Sequence, residues 1–256
     1  MKIHTQHRSF SRIVLLLIVL VCVGAIGYMT LVSVPATAPR KNKVVNQNQP
    51  ASEKTTPKEF NKSQFSIDEP GSLWWIVNKN RPVGESYKPA DLVTPDIPLN
   101  TQKTAEENQI RAHVAPYLKS LFSAAQNEGI SFFLASGYRS FSLQQAYYSN
   151  YVRTSGQMEA DRFSARPGTS EHQTGLSLDV ATVDRIHYLN QAFGQDVGGK
   201  WLATHAHEHG FIVRYPDGKE SVTGYMYEPW HIRFVGKELA SRLYNSNQTM
   251  EEFFAL

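Results

Sequence analysis

The sequence predicts an α+β domain, with helices and short strands intermixed along the chain. Three observations predict it. Apolar residues recur at helical spacing in some segments: over 104–128, Ile110, Val114, Leu118 and Leu121 share one face. Short runs rich in aromatic and β-branched residues alternate with them, as in ISFFLAS (130–136) and FIVRY (211–215). The 256 residues, 41% hydrophobic and 19% charged, suit one globular domain with attached segments.

The elements follow in order. Residues 104–128 read as a helix that Pro116 kinks and Gly129 ends. ISFFLAS reads as a buried strand, LQQAYYSNYVRTSG (143–156) as a helix and GLSLDVAT (175–182) as a strand. KWLATHAHEHG (200–210) is a short helix stopped by Gly210. FIVRY and GYMYEPWHIRFV (224–235) are strands, and VGKELASRLYNS (235–246) is a closing helix. Mixed helices and strands held by non-local contacts make a compact α+β domain.

What precedes the domain differs in composition. Residues 1–12 form a basic tail. Ile13–Val34 carry no charge over about twenty residues, enough to cross a bilayer core as a helix. The basic side precedes this run, so the C-terminal bulk is expected outside the membrane, in a single-pass arrangement. A cleaved signal peptide ending near Ala36 and Ala38 is the alternative, although the run is long for one. Residues 35–68 are rich in Pro, Asn, Gln, Lys, Ser and Thr and read as a disordered stalk. The folded domain is expected over 69–256. A net charge of +3 is too small to argue for nucleic acid. The one cysteine, Cys22, lies in the apolar run, so the folded part has neither a disulfide nor a cysteine metal site.

Any metal must therefore use His, Asp or Glu, which suits a catalytic zinc with three protein ligands and one open position. In SEHQTGLSLDV, His172 stands seven positions before Asp179, with small or apolar residues between them and no other charge. A third ligand should come from another element, and EPWHIRF (228–234) supplies His231 with Glu228 three residues before it. A carboxylate beside the metal-bound water can take its proton and later return it to a leaving amine. Taken singly, each residue has a plainer reading: a buried His is more often a hydrogen-bonded core residue, and an Asp after an apolar strand is more often a cap. The joint pattern is far less common by accident. In SGYRSFSLQQ (136–145), Arg139 directly after a buried strand can fork onto a carboxylate or an oxyanion, with Ser140 and Gln144 as neutral donors. The HAHEHG segment is a weaker rival. His205 and His209 would share a helix face, but HExxH is absent, and His207, His4, His7, His113 and His187 have no supporting context.

SGYRS, SEHQTGLSLD and EPWHIRFVG, in this order, resemble the motifs of VanY-type D-alanyl-D-alanine carboxypeptidases, zinc peptidases related to VanX-type dipeptidases. IVNKNRPV and ARPGTSEHQTG extend the likeness to roughly residues 70–245. The resemblance implies a small mixed or antiparallel sheet packed with helices, and one Zn²⁺ in a cleft. It implies His172, Asp179 and His231 as ligands, Glu228 as catalytic base and Arg139 as a contact to substrate or transition state. Gln144 and Ser170 fall at pocket-lining positions, and Tyr225 and Trp230 border the site. The sequence departs from the family pattern at Ser177 for alanine, Thr169 for a frequent histidine and Phe234 for a frequent tyrosine.

The function expected is a membrane-anchored D,D-carboxypeptidase removing the terminal D-alanine of peptidoglycan stem peptides on the wall side. An L,D-carboxypeptidase acting on tetrapeptide stems, or an endopeptidase, would use the same chemistry. A VanX-like dipeptidase suits the anchor and stalk less. A non-catalytic wall-binding module would be marked by loss of a ligand or of Glu228, and neither is lost.

Overall fold

The computed structural model describes residues 60–256. A two-stranded ladder joins β1 (Leu92–Val93) to β2 (Ile110–Arg111). The main sheet consists of β3 (Phe132–Ser136), β4 (Ser177–Thr182), β5 (Phe211–Tyr215) and β6 (Glu228–Phe234). Its spatial order is β3–β4–β6–β5, with every neighbour antiparallel. Around it stand α1 (Ala115–Asn127), α2 (Phe141–Ser155), α3 (Gln157–Phe163), α4 (Val197–His205), α5 (Glu220–Thr223), α6 (Lys237–Ser246) and α7 (Met250–Phe254). The expected α+β class and antiparallel sheet are what the chain adopts.

Alternation along the central strands separates a greasy face from a polar one. Leu178 and Val180 of β4, with Ile232 and Phe234 of β6, pack against Leu118, Leu121 and Phe122 of α1 and Trp201 and Leu202 of α4. Burying each such side chain is worth roughly 1.5–3 kcal/mol. The opposite face carries Ser177, Asp179, His231 and Arg233, all buried. Two irregularities interrupt the pairing beside this polar face. Between β3 and β4 the pairing passes from Leu134↔Val180 to Ser136↔Asp179, an extra residue on β3. Between β5 and β6 it passes from Val213↔Ile232 to Tyr215↔Glu228, so two steps along β5 face four along β6.

Several expected boundaries move. The helix expected over 104–128 begins only at Ala115, after a 3₁₀ turn at Glu106–Asn108 and strand β2. Pro116 sits in the first helical turn instead of kinking a longer helix, where its missing N–H is not needed. Ile110, Val114, Leu118 and Leu121 are all fully buried as the periodicity implied, but Ile110 is buried from a strand. The strand expected from 224 begins at Glu228, because α5 and the left-handed Gly224 turn occupy the residues before it. Helices α3 and α7 are additional. For α7 the sequence did hold a signal: Thr249 and Glu252 form a capping box.

The folded region also starts earlier than residue 69. Phe60 stacks on Trp74 at 5.4 Å, and Ile67 packs with Trp74 and Ile76. Three apolar residues, Phe60, Phe65 and Ile67, scattered through a polar stretch suffice to dock it. The tail over 1–12, the anchor over 13–34 and the stalk up to residue 59 lie outside the described residues. Among those described, no helix is long and apolar enough to cross a membrane.

Just past β3, Gly137 donates its N–H to Glu107 O, and Tyr138 donates to Gln109 O. A methyl group at Gly137 would collide with the Gln109 carbonyl. Gly137→Ala should therefore cost about 1–3 kcal/mol, a fall of about 2–12 °C in Tm by thermal denaturation.

Candidate active site and metal centre

Three acceptor atoms meet on the polar face. Asp179 and His231 are direct cross-strand partners on β4 and β6. His172 arrives from a 3₁₀ turn, Glu171–Thr174, that ends on left-handed Gly175, two residues before β4 begins. His172 Nε2 lies 3.4 Å and His231 Nδ1 3.2 Å from Asp179 Oδ1. The three ligand atoms all fall within 4.8 Å of one another. The imidazoles meet edge to face, with ring centroids 4.8 Å apart. All three residues are about 4% exposed, so no bulk water compensates them.

The hydrogen bonds around this cluster fit a cation at its centre. His172 Nδ1 donates to Gly137 O at 2.7 Å, leaving the Nε2 lone pair facing Asp179. Asp179 Oδ1 is buried without a hydrogen-bond partner among the described residues. Zinc bonds of about 2.0–2.1 Å in a tetrahedron imply ligand–ligand edges of about 3.3 Å, close to the two short separations here. The donor set, two imidazole nitrogens and one carboxylate oxygen, suits that ion.

The electrostatics agree. Burial pushes Asp179 up, but His172 and His231 override it and hold the carboxylate well below its ordinary range. Burial, then Arg139, push His172 down to about 4, so its ring is neutral. Burial opposes charge on His231, yet Asp179 and Glu171 raise it to about 9.

Glu228 stands at the entry to β6, with Oε2 3.7 Å from His231 Nδ1. Residues three apart on a regular strand point to opposite faces, so this proximity depends on the extra residues opposite β5. Burial pushes its carboxyl up to about 8, with Asp179 adding to the rise and His231 opposing it. Arg139 enters from the turn after β3. Its Nη1 donates to Gln144 Oε1 at 2.8 Å, and its Nη2 lies 3.4 Å from Ser136 Oγ and 3.5 Å from Asp179 Oδ2. Its Nε is buried without a partner among the described residues.

These groups line one cleft of about 470 Å³, together with Gln144, Ser170, Tyr225 and Trp230. Gln144 is spent on architecture as well: its Nε2 donates to Ala165 O at 2.6 Å while its oxygen holds Arg139. The Tyr225 hydroxyl is buried and unpartnered among the described residues, and burial pushes it well up. Ser140 corrects the sequence reading. Its hydroxyl caps α2 through Leu143 N and donates to Glu106 at 2.9 Å, and it does not line the cleft. The HAHEHG histidines form no ligand group among the described residues: His209 bonds Ser120 and His207 stacks on Tyr244.

Sequence reasoning missed two features. Lys103 and Tyr147 line the cleft near Arg139, with Lys103 Nζ 2.9 Å from the Tyr147 hydroxyl and 2.8 Å from Glu107. Glu171, beside His172, is fully buried and receives Arg214 and Arg233 at 2.8 Å each. The signal for that cluster was an arginine inside each of two apolar strands, FIVRY and WHIRF. Arg214 also pairs with Glu251 at 2.6 Å. Arg214→Met would leave both carboxylates short of a buried partner, so it should cost about 3–5 kcal/mol. Thermal denaturation should then read a Tm on the order of 6–20 °C lower.

Comparison with known proteins places this geometry. Residues 107–237 match the VanY family, described as D-alanyl-D-alanine carboxypeptidase. The putative carboxypeptidase YodJ of Bacillus subtilis (strain 168) is 40% identical over 189 residues, covering 74% of this chain and 69% of that protein. The solved structure of the LdcB LD-carboxypeptidase is 40% identical with a TM-score of 0.69, covering 73% of this chain and 87% of that one. A VanY D,D-pentapeptidase variant from the VanB-type resistance cassette, in complex with Zn(II), is 32% identical with a TM-score of 0.58, covering 70% and 97%.

Proposed function

This chain belongs to the VanY family of D-alanyl-D-alanine carboxypeptidases, and from that premise we propose that it is a zinc-dependent carboxypeptidase releasing the C-terminal D-alanine of peptidoglycan stem peptides. The observation that carries the reading is convergence. His172, Asp179, His231, Glu228 and Arg139 reach one buried cleft from five separate chain positions.

His172 Nε2, Asp179 Oδ1 and His231 Nδ1 would hold the zinc, which supplies polarisation of the scissile carbonyl and acidification of the attacking water. Glu228 takes the proton of that water as its oxygen attacks the carbonyl carbon. The same carboxyl then delivers the proton to the amine nitrogen as the C–N bond breaks, so the proton count closes. Burial raises this carboxyl above its ordinary range, the direction that helps it hold the proton between the two transfers. Arg139, oriented by Gln144, lines the cleft, where its guanidinium serves the terminal carboxylate or the developing oxyanion. Ligands and base are all present, which weighs against a non-catalytic wall-binding module.

Two forms of the substrate remain chemically alike. The sequence expectation was the D,D form, acting on pentapeptide stems. The likeness to LdcB, higher in both identity and TM-score than that to VanY, favours the L,D form, which trims tetrapeptide stems. Zinc-loaded full-length protein incubated with each muropeptide, with D-alanine release followed by mass spectrometry, separates them. The tetrapeptide should be trimmed. Release from the pentapeptide alone would return the D,D reading, and release from neither would sink the carboxypeptidase assignment.

Glu228→Gln should keep the zinc content and Tm of the parent and lose about 10²–10⁴-fold in kcat. Near-parental turnover would remove Glu228 from its role. The membrane anchor over 13–34, with the domain on the wall side, is part of the same proposal and is supported by the N-terminal sequence alone. Membrane fractionation of cells tests it, with the protein expected in the membrane pellet.

A further inference from the structure

Next to His231 lies a buried set of charges that the reaction above does not use. Glu171 Oε1 accepts from Arg214 Nε and Arg233 Nη1, both at 2.8 Å. Its Oε2 accepts from Ser177 Oγ at 2.7 Å. Arg214 turns its remaining nitrogens to Glu251 of α7, at 2.9 and 2.6 Å, and Asn78 donates to the same carboxylate at 3.1 Å. All four charged side chains are at most 4% exposed. Two guanidinium and two carboxylate groups balance where water does not reach.

The two ring nitrogens of His231 have unequal surroundings. Nδ1 faces Asp179 and Glu228. Nε2 is buried and has no hydrogen-bond partner among the described residues. The carboxylate oxygen facing it is Glu171 Oε2, at 3.8 Å. That gap exceeds a hydrogen bond, and a shift of roughly 1 Å closes it. Arg233 stands two residues after His231 on the same face of β6 and grips the same Glu171. Strand and carboxylate are therefore tied to each other at a second point.

We propose that Glu171 is the outer carboxylate of the metal centre: it accepts the Nε2–H of His231 and so fixes the tautomer whose Nδ1 lone pair faces the ligand site. Arg214 and Glu251 anchor that carboxylate to α7, and Arg233 anchors it to β6. Glu171 is a positioning residue, acting on the site through His231. The inference rests on the zinc reading above.

Two measurements on the full-length protein test it. The first needs no variant: nitrogen NMR of the histidine side chains in the zinc-loaded protein reports which ring nitrogen of His231 keeps its proton. A protonated Nε2 exchanging slowly with water is expected, and a protonated Nδ1 overturns the proposal. The second is competition for zinc with a chromophoric chelator. Glu171→Gln removes the charge, while Glu171→Asp keeps the balance with the arginines but draws the carboxylate back from the ring. Each should weaken zinc binding about 10- to 100-fold. A folded variant, verified by circular dichroism, that binds zinc within twofold of the parent overturns the proposal. A parent that binds no zinc would instead refute the functional reading beneath it.

Discussion

The cluster of His172, Asp179 and His231 depends on one cross-strand pair, Asp179 opposite His231 at the centre of the sheet. Antiparallel neighbours hold opposed side chains within about 4.5–5.5 Å, close enough for two of them to share a ligand. Both strands are interior, flanked by β3 and β5, so backbone hydrogen bonds on each edge limit their movement. The register comes from the other face. Leu178, Val180, Ile232 and Phe234 fill the core against α1 and α4. A slip of one residue would turn those side chains toward the cleft and the ligands toward the core. Hydrophobic packing thus sets the geometry of the polar site without touching it.

Two departures from regular pairing finish the arrangement. The extra residue on β3 places Ser136 opposite Asp179 and directs the chain into Gly137, whose carbonyl orients His172. The extra residues on β6 bring Glu228 round to the side of His231. Both irregularities sit beside the site, as bulges commonly do where a strand must re-aim a side chain. Burial then sets the chemistry: it raises Glu228 toward neutrality and lowers His172, while the imidazoles keep Asp179 ionised.

The three departures from the family pattern have physical readings in this fold. Ser177 spends its hydroxyl on Glu171, inside the polar layer. Thr169 donates to Arg166 O in its own turn. Phe234 belongs to the core face, packed against Tyr117 and Phe211, where a phenol would add nothing to the cleft. None of the three alters the ligand set or Glu228.

The sequence by itself determined the class of fold and picked out the residues that converge in the cleft, because those follow from local pattern. Short runs of apolar and β-branched residues mark β3, β4 and β5, and LQQAYYSNYVRTSG marks α2, nearly where they stand. A single cysteine in the N-terminal run leaves only His, Asp and Glu to bind a metal, and His172, Asp179, His231 and Glu228 do converge. Local pattern misread residues 104–114, where Pro116 begins a helix and Ile110 is buried from a strand, and it placed Ser140 in a cleft it does not line. Only the tertiary structure decided the remainder: the bulges that aim Ser136 and Glu228, the grip of Gln144 on Arg139, and the charges of Glu171, Arg214, Arg233 and Glu251 gathered from positions up to 80 residues apart. Burial and charge pairing between distant segments exist only once the core has brought them together, so no run of neighbouring residues could announce them.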